Sequence, residues 1–148
     1  MKKKDYRKKA REIDDITSKI ENAWIQAKTP FLPCEDLDKV RQALTNVVNG
    51  EISIEEYGDE KYLVVYNENP NTIYRIFHHF RNRRVLATLR KYLNRYSSEN
   101  EIIMYLHKQA AYKGVLSLSE PGESPGGEII VIIKIENAKE VIRHLTKF

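Results

Sequence analysis

Three apolar runs in the last third of the chain, residues 102–106, 115–118 and 129–135, constrain the fold more than any other feature. Each is short, β-branched or alternating, and bounded by glycine, proline or polar residues, which is the pattern of adjacent strands. The octapeptide His107-Lys108-Gln109-Ala110-Ala111-Tyr112-Lys113-Gly114 lies between the first two as a hinge, and the turn-rich residues 120–127 precede the third. A unit of three sequential strands is expected here.

Upstream, residues 22–31 alternate Ala23, Ile25 and Ala27 with Trp24, Gln26 and Lys28, as a half-buried strand does. A helix begins near Cys34-Glu35-Asp36 and sets Leu37, Val40, Ala43, Leu44 and Val47 on one face, closing at Asn49-Gly50. Residues 51–57 and 61–66 form a hairpin about Gly58-Asp59. Residues 71–96 carry apolar spacings of three and four and read as helix in two pieces, broken near Arg81-Asn82. Asn137 is placed to cap a C-terminal helix with Val141, Ile142 and Leu145 facing inward. At the start, residues 2–20 form a helix with a basic, solvated beginning and a loosely packed end through Ile13, Ile16 and Ile20. This order specifies an α+β fold: a mixed, mainly antiparallel sheet covered on one face by helices. It divides the chain into a basic helical arm, residues 1–21, and one domain, residues 22–148.

Composition supports a single globular domain, with 41% hydrophobic and 31% charged residues among 148. No apolar run is long enough to span a membrane, and no apolar stretch follows the initial lysines as a signal peptide requires. The one cysteine, Cys34, forms no internal disulfide, so a cytoplasmic location is expected.

Charge is distributed unevenly. Residues 1–12 hold seven basic and two acidic side chains, residues 70–95 hold seven basic and no acidic ones, and the rest of the chain is net acidic. A helix without carboxylates has no i,i+4 relief for its cations, which costs stability unless an external anion supplies it. Such a segment suits phosphates.

Catalytic and cofactor patterns are missing. The histidines (His78, His79, His107, His144) show no zinc spacing, so no metal is expected. Ser117 and Ser119 mark the polar side of a strand, and the glycines of residues 120–127 match neither a dinucleotide fingerprint nor a phosphate loop. No catalytic residue and no cofactor is assigned, and the chain is read as a non-enzyme. Lys108, Gln109, Tyr112 and Lys113 instead combine donors, cations and a stackable ring, a mixture that suits single-stranded RNA.

Lys108-Gln109-Ala110-Ala111-Tyr112-x-Gly114, followed by Glu123-Ser124-Pro125, resembles an archaeal family of uncharacterised proteins described as predicted RNA-binding and in places as exosome-associated. Pro33-Cys34-Glu35-Asp36-x-x-Lys39-Val40-x-x-Ala43 is similar to that family's Pro-Thr-Glu-Asp helix entry, and Arg81-x-Arg83-Arg84-Val85-Leu86 to its arginine-rich helix start. The chain departs from the pattern at His107 (Asn in the family), Cys34 (Thr) and Ala87 (an acid). Loss of the threonine implies a helix start weaker by about 1 kcal/mol. The resemblance implies a fold like that of the ribosomal protein that holds 5S rRNA in the large subunit.

Together these readings predict a non-enzymatic RNA-binding module, acting with RNA and an RNA-processing complex and without a membrane. Its basic helix, residues 81–95, contributes Arg81, Arg83, Arg84, Arg90, Lys91 and Arg95, and the segment 107–114 contributes Lys108, Gln109, Tyr112 and Lys113. The alternative is a protein-interaction subunit, homodimeric through an exposed strand or the aromatic helix of residues 74–80, with no direct contact to nucleic acid.

Overall fold

Alternation along the central strand sets the architecture. In β1 (Trp24–Phe31) Ile25, Ala27 and Thr29 are buried while Trp24, Gln26 and Lys28 are half-exposed. A computed structural model describes residues 3–123 and 126–147 of the chain. Its sheet runs β2-β3-β1-β5-β4, every pair antiparallel, with β2 at Ile52–Tyr57, β3 at Glu60–Asn67, β4 at Glu101–His107 and β5 at Glu128–Lys134. β1 is the central strand, and Ala27 pairs with Val65 on one side and Val131 on the other.

The inward set of Ile25, Leu63, Val65, Met104, Val131 and Ile133 is buried beneath helices. Burying each large aliphatic side chain stabilises the fold by roughly 1.5–3 kcal/mol. Among the described residues the helices are α1 (Lys3–Glu21), α2 (Leu37–Val47), α3 (Pro70–Asn82), α4 (Leu86–Tyr96), α5 (Lys108–Tyr112) and α6 (Ala138–Leu145). The fold is therefore α+β with helices on one face of the sheet, as the element order implies.

Several local expectations are corrected. Residues 115–118 form no strand: a single bridge joins Leu106 to Leu118, and β5 pairs directly with β4. Side chains, rather than a ladder, satisfy much of that segment's backbone. The Leu116 N–H donates to His79 Nε2 (3.1 Å), and the Leu116 carbonyl accepts from Arg83 (2.8 Å). The Tyr92 hydroxyl donates to Ser119 O. Buried backbone groups need partners but not strand partners. The hinge octapeptide becomes the short helix α5, whose small Ala111 is fully buried.

α1 ends tightly rather than loosely, with Ile16 and Ile20 in the core. The break between α3 and α4 falls just after the predicted position, at Arg84, whose φ of 58° is left-handed. Asp36, not residue 34, caps α2 by accepting from Asp38 N–H (2.9 Å), so Cys34 leaves that helix start intact. Asn137 occupies the α6 cap position but donates its amide to Glu140 (2.7 Å) instead of accepting from the backbone.

Candidate nucleic-acid interface

The ten residues expected to meet RNA fall into two populations. Three are engaged by other groups of the protein, Lys108 buried, Arg90 half-buried and Arg95 in an exposed ion pair. Lys108 is buried, and its ammonium donates to Pro30 O (2.7 Å), Gly126 O (2.9 Å) and both Glu35 carboxylate oxygens (3.1 and 3.2 Å). Burial pushes its pKa down and Glu35 opposes that shift. Arg90 donates to Thr146 Oγ1 (2.8 Å), Thr146 O (2.9 Å) and Arg143 O (3.3 Å), at the C-terminal end of α6. Arg95 pairs with Glu120 at 3.2 Å.

The other seven lie at the surface. Arg81 and Arg83 each give one donor to a carbonyl, of Leu145 (3.4 Å) and Leu116 (2.8 Å), and neither meets a carboxylate among the described residues. Arg84, Lys91, Gln109, Tyr112 and Lys113 are exposed. The Arg83 bond ties the α3–α4 turn to the segment just beyond Lys113. The two expected halves of the site thus meet at that edge.

Unrelieved charge in residues 70–95 has an internal answer. Arg75 donates to the carbonyls of Asn46 (3.1 Å) and Val47 at the end of α2, while Arg81 and Arg90 reach the end of α6. Helix C-termini carry partial negative charge and unpaired carbonyls, so three arginines replace the missing carboxylates with helix ends. Asn46 in turn donates to Ala111 O (2.9 Å) and Tyr112 O (3.2 Å), fastening α5 to the same corner.

A groove between α3 and α6 follows from this arrangement. Asn71, Tyr74, Arg75, His78, Arg81 and His144 line it over the apolar Phe77 and Leu145, and no carboxylate is among the described lining residues. His144 titrates below its ordinary value because it is partly buried and lies near Lys147. His79, on the other side of α3, is also lowered, by burial first and then by Arg83 and Arg75. This suits a neutral imidazole accepting from Leu116. With Arg75 held at the end of α2, the groove offers an anion the Arg81 guanidinium, two imidazoles, a phenol and an amide, and no repelling charge among its described lining residues. Tyr74, Arg75, His78 and His144 were not among the predicted site residues. The acid-free stretch hinted at the first three, whereas His144 joins them only through the packing of α6.

A smaller groove between α2 and α5 holds Lys39, Gln109, Tyr112 and Lys113, but Glu35 and Asp36 share it. Among the described residues no group of three His, Cys, Asp or Glu side chains is placed to hold a metal ion, and no helix is long and apolar enough to cross a membrane.

A family profile described as RNA binding matches residues 24–136, which contain the whole sheet and α2 to α5. The chain belongs to this family. Among its relatives is the UPF0201 protein TK1335 of Thermococcus kodakarensis, 30% identical over 82% of this chain and 87% of that protein. The UPF0201 protein MK0399 of Methanopyrus kandleri is 35% identical over 76% of each chain. The fold is shared with the crystal structure of a UPF0201 protein from Methanococcus jannaschii (TM-score 0.69, 21% identity, 84% of this chain and 99% of that one). Mth689 from Methanothermobacter thermautotrophicus is a second such structure (TM-score 0.58, 23% identity, 84% and 97%). The family span includes the α3 wall of the groove, and His144 on α6 lies beyond it.

Proposed function

We propose that this protein is a non-enzymatic RNA-binding module whose α3–α6 groove seats the phosphodiester backbone. The observation that carries the reading is the composition of that groove: cationic and neutral donors converge there with no carboxylate among the described lining residues. Phosphate contacts of this kind position an RNA and supply affinity without reading sequence. Arg83, Arg84, Lys91 and Lys113 would extend the path beyond the groove, and Gln109 and Tyr112 would offer polar and stacking contacts at its end. The family's description supports RNA as the partner. Service within a cytoplasmic RNA-processing complex belongs to the same proposal.

Fluorescence anisotropy of labelled single-stranded and duplex RNA tests it. With about five phosphates engaged by a single strand, log affinity falls with log salt at a slope of about −3.5. No binding of either form at low salt would sink the reading. So would wild-type affinity in a chain carrying both His78→Glu and Arg81→Glu.

A further inference from the structure

The side of the sheet away from the helices has its own apolar surface. Residues that alternate with the buried set point there: Trp24, Gln26 and Lys28 on β1, Tyr62 and Tyr66 on β3, and Tyr57 on β2. Ile130 and Ile132 on β5 and Ile103 on β4 continue it. The buried helix residues cluster with the inward strand set; on the outward face Val64 is buried and Tyr105 packs against Tyr96 of α4. Tyr57 and Tyr66 remain 53% and 52% exposed.

The rings are grouped. Trp24 and Tyr66 lie 5.9 Å apart between centroids, and Tyr57 and Tyr62 lie 5.6 Å apart. Lys28 Nζ sits 4.5 and 4.7 Å from the Tyr57 and Tyr62 ring centroids and 3.9 Å from Glu55. At the other edge Lys134 pairs with Glu101 at 2.8 Å. The face is aromatic and close to charge-balanced.

We infer that this open sheet face binds single-stranded RNA by stacking unpaired bases on Trp24 and Tyr66, with Gln26 and Lys28 meeting base edges and sugars. An antiparallel sheet with rings on its central strands is a general means of holding splayed bases. A second copy of the chain fits this face less well. The centre of the face is β1, so packing two copies together would bury the Gln26 amides of both at the heart of the interface, where unpaired amides are costly. Nucleobases carry donors and acceptors that can satisfy them. The inference rests on the RNA-binding reading above, but it concerns a different surface and a different chemistry. Stacking responds weakly to salt and requires unpaired bases.

Trp24 is the chain's one tryptophan, so its emission reports this face alone. The experiment titrates the full chain with a ten-nucleotide single-stranded RNA and with the matching duplex. Tryptophan emission and the anisotropy of labelled RNA are followed together. Single strands are expected to quench Trp24 in step with anisotropy. Tyr66→Ala should weaken single-strand binding about tenfold, Tyr66→Phe should retain it, and duplex affinity and the salt slope should stay as in wild type. If anisotropy reports binding without quenching, and Tyr66→Ala binds as wild type does, the sheet-face inference falls while the RNA-binding reading survives. If neither RNA binds, both fall. A Trp24 emission change that follows protein concentration without RNA, together with a dimer in sedimentation that Tyr66→Glu dissolves, would assign the face to self-association and overturn the inference.

Discussion

The two sides of the sheet offer opposite chemistry. The helix-covered side presents cations over a fully packed core, and several of those cations hold the ends of helices. The open side presents rings and isoleucines with their charges paired. The difference teaches that basic charge in a sequence marks a partner only where the fold has not already used it. It also shows that exposed rings can be concealed within strands that read as core.

The largest expected effect separates structural from binding cations. Lys108→Ala strands Glu35 and leaves two carbonyls without their donor, and should cost about 3 kcal/mol in urea unfolding. RNA affinity of the folded protein should be unchanged. A large loss of affinity at intact stability would return Lys108 to the binding surface. Arg90→Ala, which uncaps α6, should cost about 2 kcal/mol in the same assay. By contrast, Arg84→Ala and Lys91→Ala should each fall within about 0.5 kcal/mol of wild type.

Charge reversal in the groove is the next test. Arg81→Glu combined with His78→Glu should lower RNA affinity about tenfold or more and make the salt slope shallower by about 0.7 for each lost phosphate contact. Trp24 quenching by single strands should persist at saturating RNA. If it vanished instead, the two sides would be one site.

Acidification gives the smallest effect. His79 and His144 bind protons more weakly in the folded chain than their ordinary value of 6.5. The unfolded chain therefore takes up more protons. The stability these groups contribute is full above pH 6.5 and is lost as pH falls through their lowered values. Thermal unfolding of the free protein from pH 7.5 to 5 should show this decline. Bound phosphate favours the charged form of His144, so RNA affinity should rise over the same range. An affinity indifferent to pH would remove His144 from the groove.

Much of the fold is legible in residue order. The stripe of Val40, Ala43, Leu44 and Val47 forms the buried face of α2, and the alternation in residues 22–31 marks the central strand. The β2–β3 hairpin and the two-part helix were equally readable. Residues 115–118 do not form a strand because apolar character reports burial, while a strand needs a continuous ladder. The segment meets the outer edge of β4 at one bridge, with His107 N–H donating to Ser117 O and Ser119 N–H to Tyr105 O, and His79 and Arg83 take up the Leu116 backbone.

The site was less legible. The apolar stretch from Tyr62 to Tyr66 on β3 and the run from Ile129 to Ile133 on β5 do not alternate, and that is the mark of strands apolar on both faces. Reading them as such would have pointed to the open surface before its geometry was known.

By itself the sequence determined most of the apolar residues that go inside, the course of α2, β1 and the β2–β3 hairpin, and that positive charge gathers in residues 70–95. Those are local properties, set by periodicity and by residue chemistry within a few positions. Only the tertiary structure decided which cations stay available. Arg75 meets the end of α2, Arg90 the end of α6, and Lys108 the Glu35 carboxylate, each across many residues of intervening chain. A guanidinium's partner is whichever carbonyl or carboxylate packing brings within about 3 Å, and that distance is a property of the folded chain.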